Sequence, residues 1–359
     1  MVNGFIHEPI VDSQFMVEPL VECVPNFSEG KDESIINAIT DAMGSIDGVT
    51  LLDVDMGADF NRTVVTIVGP PNSVLDAAVA GTRIALNLID MSKHSGEHAR
   101  MGAVDVVPFI PISNITMDDC VDLSIRYAER VSSSFDLPIY MYAKAARKTD
   151  RVNLPDIRRG EYEGFHQKIS EPNWIPDYGP AIFNPQWGVT ATGARNILVA
   201  YNVNLNTKEK SSANRIAGKI RTSGVLVKDE NGEKIMDENG KALRLPGEFE
   251  SLQAAGWMYN EDTAQVSMNL LDYEKTGLHS VTEAIRQEAD EMGLKTTAGE
   301  LVGLLPLNAM LDAGRYYHPD GNADPHELVE SAIAGLQLDA LEPFDPKQRI
   351  IEWAAGEEL

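Results

Sequence analysis

Residues 49–69 read VTLLDVDMGADFNRTVVTIVG, and the fold can be worked out from the two extended runs in this stretch. The runs at 49–55 and 62–69 are rich in valine, isoleucine, leucine and threonine, which favour or tolerate a pleated, half-buried strand. The sequence Gly57-Ala58-Asp59 lies between them and is typical of a turn. The stretch therefore predicts two neighbouring strands of one sheet.

Helices and strands alternate on both sides of this pair of strands. The helix that follows is entered through 71–73, and its apolar residues recur every three or four positions from Leu75 to Ile89, which places one apolar stripe against a sheet. This helix is expected to end near Met91. Similar patterns predict a strand at 20–26, a helix at 31–44 and a strand at 103–109. The order of the elements is βαββαβ.

The chain then becomes less regular. A helix is predicted to begin at Thr116, where Asp119 three positions later forms a near capping box, and a strand follows at 137–143. Residues 147–190 contain five prolines and four glycines, too many helix and strand breakers for regular elements. Their aromatic residues indicate that the segment is ordered, and long ordered loops are usually functional.

The second half of the chain repeats the order of the first. Its predicted elements are a strand at 196–203, a helix at 209–222, strands at 254–259 and 263–271, a helix at 279–292 and an extended piece at 295–298. The predicted fold class is α+β, with two pseudo-repeated βαββαβ units of the ferredoxin-like split βαβ type. Each unit is expected to have a mostly antiparallel sheet with helices on one face, and a cleft is expected between the two units.

The predicted divisions of the chain follow from this repeat. They are an N-terminal extension at 1–17, an N-terminal subdomain at 18–194, a C-terminal subdomain at 195–343 and a C-terminal tail at 344–359. The sequence Asp-Glu-Asn-Gly occurs at 229–232 and again at 237–240, and these two turns predict a protruding hairpin over 228–246.

Composition excludes several classes of function. The 359 residues include 55 acidic and 30 basic side chains, and the formal charge of −25 argues against sequence-independent binding to nucleic acids or anionic membranes. No apolar run approaches the ~18 residues of a membrane span, and the N-terminus lacks the pattern of a signal peptide. Cys23 and Cys120 fit a reducing compartment better than a disulfide framework. A cytoplasmic protein is therefore expected.

The densest polar cluster is KHSGEHARMGAVD at 93–105, between the end of a helix and the start of a strand. It is either a charged solvent-exposed loop or a catalytic loop. Residues 94–98 match the H-x-x-E-H pattern of inverted zinc peptidases, in which both histidines must lie on one helix face. Gly96 lies inside the motif and weakens a helix by about 1 kcal/mol, so a zinc site is not favoured.

Other polar candidates lie at strand ends and in the irregular segment. Asp53 and Asp55 point to one face of their predicted strand, and Asn61 and Arg62 follow the turn, although solvated edge positions explain such residues equally well. The segment at 179–188 has free backbone donors and two aromatic rings that could line the site of a flat heterocycle or simply anchor the loop. Its residues are Gly179, Pro180, Ala181, Ile182, Phe183, Asn184, Pro185, Gln186, Trp187 and Gly188.

Several long motifs, in order along the chain, resemble the formiminotransferase domain of the formimidoyltransferase-cyclodeaminase family. They are LVECVPNFSEGKD at 20–32, LLDVDMGADFNRTVVTIVGPP at 51–71, IDMSKHSGEHARMGAVDVVPFIPI at 89–112, FNPQWGVTATGARNILVAYNVNL at 183–205, NLLDYEKTGLH at 269–279, ELVGLLPLNAML at 300–311 and FDPKQRIIEW at 344–353. The resemblance covers almost everything from residue 18 onward. Ala99 stands where many relatives are expected to have proline.

The resemblance implies a reaction and its site residues. The reaction is transfer of the formimidoyl group from N-formimidoyl-L-glutamate to N5 of tetrahydrofolate, a step of histidine degradation and one-carbon metabolism. His98 would be the catalytic acid/base and Asp55 and Arg100 its supporting groups, with Asp55 orienting the imidazole. Arg100 and Arg62 would bind carboxylates of glutamate or of the folate tail, since a guanidinium fits a carboxylate well. Asn61 and the segment at 179–188 would contribute to folate binding.

Cofactors and partners follow from the same resemblance. Tetrahydrofolate or its polyglutamates would be the co-substrate, without a metal, and a homodimer is expected. The resemblance ends with the chain at Leu359, so a separate cyclodeaminase is expected to process the product. Three alternatives remain open, namely a related folate enzyme that acts on 5-formyltetrahydrofolate, a zinc hydrolase that uses residues 94–98, and a folate-binding protein without catalytic activity.

Overall fold

The computed structural model describes residues 18–96, 99–238, 240–319 and 321–356. The first half of the chain contains β1 (Leu20–Cys23), β2 (Asn26–Phe27), α1 (Glu33–Gly44), β3 (Thr50–Gly57), β4 (Arg62–Gly69), α2 (Pro71–Leu88), β5 (Val104–Ser113), α3 (Met117–Phe135), β6 (Ile139–Ala143), α4 (Leu154–Arg158), α5 (Glu161–Lys168) and β7 (Thr190–Ala194). The expected N-terminal extension at 1–17 lies outside the described residues.

These seven strands form one sheet. β3 pairs with β4, β4 pairs with β1 and β2, both of these pair with β5, and all of these pairs are antiparallel. β7 and β6 then extend the sheet in parallel register. The strand predicted at 20–26 is divided into β1 and β2 around Pro25, which has no N–H group to donate to a neighbouring strand. β7 was not predicted from the sequence.

Three helices cover one face of this sheet, as the amphipathic patterns predict. Helices α1, α2 and α3 bury Ile39, Leu75 and Tyr127 in a common apolar core with strands β1, β4 and β5. The predicted capping box is confirmed, because Thr116 Oγ1 accepts from the Asp119 amide at 3.1 Å and the Asp119 carboxylate accepts from the Thr116 amide at 3.0 Å.

The opposite face is covered by two short helices where β5, β7 and β6 lie. There α4 and α5 pack Ile157 and Phe165 against Tyr140 and Tyr142. The prediction that 147–190 contains no regular elements was therefore wrong. The prolines and glycines lie mostly between short helices, and Pro155 occupies the first turn of α4, where no backbone N–H is required.

A buried arginine holds the end of this segment to the sheet. Arg151 is fully buried, and its Nη1 forms an ion pair with Asp177 at 2.6 Å. Its Nη2 donates to the carbonyl oxygens of Asn173 and Ile175, each at 2.8 Å. The guanidinium also lies 4.9 Å from the centre of the Tyr140 ring. A buried charge is tolerated when it is paired and hydrogen-bonded in this way.

The second half of the chain forms a four-stranded sheet and the remaining helices. Its elements are β8 (Val199–Leu205), α6 (Lys210–Ile220), β9 (Val225–Leu226), β10 (Arg244–Leu245), β11 (Leu252–Asn260), β12 (Thr263–Leu270), α7 (Leu278–Glu291), β13 (Thr296–Val302), α8 (Leu307–Tyr317), α9 (Pro325–Leu336), α10 (Pro346–Arg349) and α11 (Ile351–Ala354). The strand order is β11-β12-β8-β13, and every pair is antiparallel. Helices α8 and α9 were not predicted from the sequence.

The predicted hairpin excursion is present between α6 and β11. β9 pairs with β10, and isolated bridges join Lys228 to Lys234 and Met236 to Ala242. The first Asp-Glu-Asn-Gly sequence, at 229–232, lies between the two strands of the first bridge, and Asp237, Glu238 and Gly240 of the second lie between those of the next. Throughout the part of the chain that the structure describes, no helix combines the length and the hydropathy needed to cross a membrane.

One apolar cluster joins the two halves of the chain. It extends from Leu20, Val68 and Ile110 of the first sheet to Ile350 and Trp353 near the C-terminus. The stretch predicted as a tail at 344–359 is thus packed into the core along much of its described part.

Glu22 is buried at this junction, and we expect it to make stability depend on pH. Burial raises the pKa of Glu22 to about 7, Arg195 opposes the shift and Glu352 adds to it. The native state therefore binds this proton more tightly than the unfolded state, and the contribution of Glu22 to the free energy of unfolding falls as pH rises from about 4.5 to about 7. Glu22→Gln should be more stable than the original protein at pH 8, by about 1–3 kcal/mol, with a much smaller difference at pH 4.5.

Urea unfolding of both proteins at the two pH values measures this effect. Glu261→Gln, at an exposed turn position, is the matched control and should behave alike at both values. A difference between Glu22→Gln and the original protein that does not change with pH would contradict the prediction.

Candidate active site

The polar segment at 93–105 lies between α2 and β5, as the sequence predicts. A short 3₁₀ turn at Met91–Lys93 begins it, and the Met91 amide donates to the carbonyl oxygen of Gln186 at 2.9 Å. Glu97 and His98, the two central residues of the motif, lie outside the described residues. The chain therefore contacts the 179–188 region just before this segment, at Met91, and again near its end, where the Ala103 amide donates to the Trp187 carbonyl oxygen at 2.9 Å.

His94 has hydrogen-bond partners for both ring nitrogens. Its Nε2 lies 2.9 Å from the carbonyl oxygen of Asn61, and its Nδ1 accepts a long hydrogen bond of 3.4 Å from Arg100 Nε. These partners require a proton on Nε2 and a lone pair on Nδ1, which is the neutral tautomer. Burial lowers the pKa of His94, which also favours the neutral imidazole. A zinc site through His94 would have to break one of these contacts.

Arg100 is buried and paired with two carboxylates. Its Nη1 lies 2.9 Å from both Glu161 Oε2 and Glu163 Oε2, and its Nη2 lies 2.5 Å from Glu163 Oε1. Together with the bond to His94, four of the five N–H groups of the guanidinium donate within the protein. The predicted role of Arg100 as a ligand for substrate carboxylates would require these ion pairs to rearrange.

Asn61 connects two loops at the edge of the first sheet. It has a positive φ of 49°, its Oδ1 accepts from the Gly30 amide at 3.0 Å, and its Nδ2 donates to the Ser95 carbonyl at 2.9 Å. A Cβ at Gly96 would collide with the carbonyl oxygen of Phe60, so only glycine allows this close approach. The side-chain amide of Asn61 thus positions the 94–96 loop.

Asp55 and Arg62 lie on the same face of the β3–β4 pair. Asp55 is opposite Val64, and its side chain is exposed on the part of the sheet that α4 and α5 leave uncovered. Burial lowers the pKa of Arg62, Arg158 acts in the same direction, and Asp105 and Asp55 oppose them. Asp105 is buried and forms an ion pair with Arg158. Acidic and basic groups therefore alternate across this face.

The segment at 179–188 is held at both ends. Gly179 and Gly188 have positive φ values of 78° and 67°. A Cβ at Gly179 would collide with the carbonyl oxygen of Leu137, and one at Gly188 with that of Met101. Glycine is thus required at both ends by conformation and by space.

The middle of this segment is exposed, and its later part is anchored to the first sheet's helices. Trp187 Nε1 donates to the Leu86 carbonyl oxygen at 2.8 Å, and Phe183 packs against Tyr162 with ring centres 5.3 Å apart. Ile182 has 70% of its side chain exposed, an uncommon degree for an isoleucine. The segment thus presents apolar surface next to the 93–105 loop.

An open pocket of about 520 Å³ lies between the 93–105 loop and the start of α5. The described residues that line it are His94, Ser95, Gly96, Arg100, Gly160, Glu161 and Glu163. The sequence reasoning missed Glu161, Tyr162 and Glu163, because they fall in the segment that it took to be irregular. The signal that could have found them is Gly160 followed by two acidic residues at the start of a short helix.

No group of three or more histidine, cysteine, aspartate or glutamate side chains among the described residues is arranged to hold a metal ion.

Gly160 and Glu161 both have positive φ, of 89° and 52°. A non-glycine residue in this conformation costs ~1–3 kcal/mol and is often found at functional sites. The pocket is therefore lined by charged side chains on a strained turn.

Comparison with known proteins assigns the chain to a family. A family model described as the N-terminal subdomain of the formiminotransferase domain matches residues 20–195, and one described as the formiminotransferase domain matches residues 200–355. Glutamate formimidoyltransferase of Streptococcus pyogenes serotype M1 is 40% identical over 88% of this chain and 99% of that protein. The corresponding protein of Thermoplasma acidophilum is 38% identical over 87% of this chain and 96% of that protein.

Longer relatives match as well. Formimidoyltransferase-cyclodeaminase of Gallus gallus is 45% identical over 94% of this chain, but the match covers 61% of that protein. The chain thus spans about three fifths of the length of this bifunctional relative. Because the two family models together account for nearly all of residues 20–355, the chain belongs to the formiminotransferase domain family.

Proposed function

We propose that the protein transfers the formimidoyl group of N-formimidoyl-L-glutamate to N5 of tetrahydrofolate, releasing L-glutamate. One observation carries the proposal. The 93–105 loop and the start of α5 line one open pocket, and the turn at 57–62 and the 179–188 segment, far away in the sequence, form hydrogen bonds with the chain beside it. The names of the two relatives that this chain covers almost completely support the same reaction.

The reaction requires a proton to be moved between two nitrogens. N5 of tetrahydrofolate attacks the formimidoyl carbon, N5 loses a proton, and the glutamate nitrogen gains one as its bond to that carbon breaks. A histidine suits both transfers because its unperturbed pKa is ~6.5. The proposal assigns this role to His98, with Asp55 stabilising the imidazolium.

The remaining site residues have supporting roles in this proposal. Arg62 binds a carboxylate of glutamate or of the folate tail, and the exposed apolar surface at 179–188 receives the pteridine ring. Asn61 acts indirectly, through the 94–96 loop that its amide holds. His94 acts in the same way, because its two ring nitrogens connect Asn61 to Arg100.

We also propose that the two sheets are pseudo-repeats of one βαββαβ unit. Labelled by chain order within each unit, β3, β4, β1 with β2, and β5 follow the order 2-3-1-4, as do the four strands of the second sheet, while β7 and β6 extend the first sheet beyond the repeat. We further propose that the subdomains span residues 18–194 and 195–343. The protein is proposed to be a cytoplasmic homodimer whose product is consumed by a cyclodeaminase.

An assay with purified protein, N-formimidoyl-L-glutamate and tetrahydrofolate tests the function. We expect L-glutamate and 5-formimidoyltetrahydrofolate to form in equal amounts, and activity to persist after treatment with a chelator. Turnover of 5-formyltetrahydrofolate in the absence of formimidoyl transfer would favour the related folate enzyme instead. Absence of any transfer would contradict the proposal.

A further inference from the structure

We propose that Glu161 and Glu163 bind the cationic amidinium group of the formimidoyl donor and so select it against neutral formyl donors. This inference rests on the proposed function and concerns the same pocket. It assigns the carboxylates at the start of α5, rather than Arg100, to direct contact with the transferred group.

The described residues that line the pocket carry a net negative charge. Among the described lining residues, two carboxylates face one guanidinium, and His94 is held in its neutral form. These groups therefore carry one excess negative charge. Arg100 is largely occupied by its partners, so the pocket offers a substrate more acceptors than donors.

The two carboxylates are much more exposed than the guanidinium with which they pair. The side chains of Glu161 and Glu163 are 46% and 64% exposed, whereas that of Arg100 is 8% exposed. Arg100 contacts Glu161 through Oε2 only, and Oε1 accepts no hydrogen bond from the described residues. Each carboxylate is therefore partly accessible to a ligand while paired with Arg100.

The two carboxylates lie beside the 179–188 segment. The Tyr162 amide, between the two glutamates, donates to the Arg100 carbonyl oxygen at 2.8 Å. The Tyr162 hydroxyl donates to the Pro185 carbonyl oxygen, and the Tyr162 ring packs on Phe183. The carboxylates are therefore fixed beside the segment proposed to bind folate, where the transferred carbon must meet N5.

The chemistry of the donor fits such a site. An N-substituted formamidine is basic and is protonated at neutral pH, and its planar N–H groups can pair with a carboxylate as a guanidinium does. Binding by a carboxylate favours the protonated form, whose carbon is the more electrophilic. A formyl group is neutral and cannot form this pair, so a site with excess negative charge discriminates between the two.

The test compares two ligands in three variants, Glu161→Gln, Glu163→Gln and the double variant. Calorimetry measures binding of N-formimidoyl-L-glutamate and of N-formyl-L-glutamate, and the transfer assay measures KM for each substrate. We expect each single variant to weaken binding of the formimidoyl ligand about tenfold or more, the range of a lost charge-assisted hydrogen bond. Binding of the formyl ligand and KM for tetrahydrofolate should change less than threefold.

Glu171→Gln, an exposed glutamate of the same segment outside the pocket, is the control and should change neither ligand. A purely structural role for Glu161 and Glu163 would weaken both ligands equally, and that result would overturn the inference. So would unchanged binding of the formimidoyl ligand in the single variants. A protein that binds the ligands with the expected selectivity but transfers nothing would contradict the proposed function alone.

Discussion

His98→Asn should lower kcat about 100-fold or more, with little change in stability. The expected loss is the lower end of the ~10²–10⁴ contribution of a positioned general acid/base. Asparagine is close in size to part of the imidazole but cannot accept a proton and return it. The measurement is the initial rate of formimidoyl transfer at saturating concentrations of both substrates.

His326→Asn is the matched control, because His326 lies on α9 in the second half of the chain and packs against Trp353. It should retain near-normal kcat. Near-normal kcat in His98→Asn would remove the acid/base role from His98, and comparable thermal unfolding of the two variants would show that the loss is chemical.

Arg151→Leu should lower the free energy of unfolding by about 3–5 kcal/mol, the cost of breaking a buried ion pair and leaving one partner charged. The substitution leaves the Asp177 carboxylate buried, with 6% of its side chain exposed, and two carbonyl groups without their donor. Equilibrium unfolding in urea measures the change. Asp177 lies two residues before the 179–188 segment, so KM for tetrahydrofolate should also rise.

The matched control is Arg159→Leu. Arg159 has 80% of its side chain exposed and pairs with Asp156, and such surface pairs contribute ~0–1 kcal/mol. An equal loss of stability in both variants would show that burial of Arg151 has no special cost. Arg151→Leu combined with Asp177→Asn should recover part of the loss, because the uncompensated charge is gone.

Several regular elements were predictable from a single amphipathic pattern that ran through them. Helix α2 from Leu75 onward and strand β12 with its alternating residues follow local periodicity, which depends only on one face being buried. Helix α5 was missed because Gly164 lies within it and Gly160 precedes it, and because it is held by tertiary contacts such as Lys168 with the carbonyl oxygens of Ile157 and Arg159. Local propensity does not report such contacts.

By itself, the sequence determined the amphipathic helices and alternating strands of each half, the net charge of −25, and the motifs that place the chain in its family. Those properties depend on residue type and spacing, which are fully written in the chain. The tertiary structure decided which charges face each other. Arg100 is separated from Glu161 and Glu163 by about sixty residues, and only the packing of α5 against the sheet brings them into ion pairs. Coulomb interactions depend on distance in space, so the charge of the pocket could emerge only once the chain was folded.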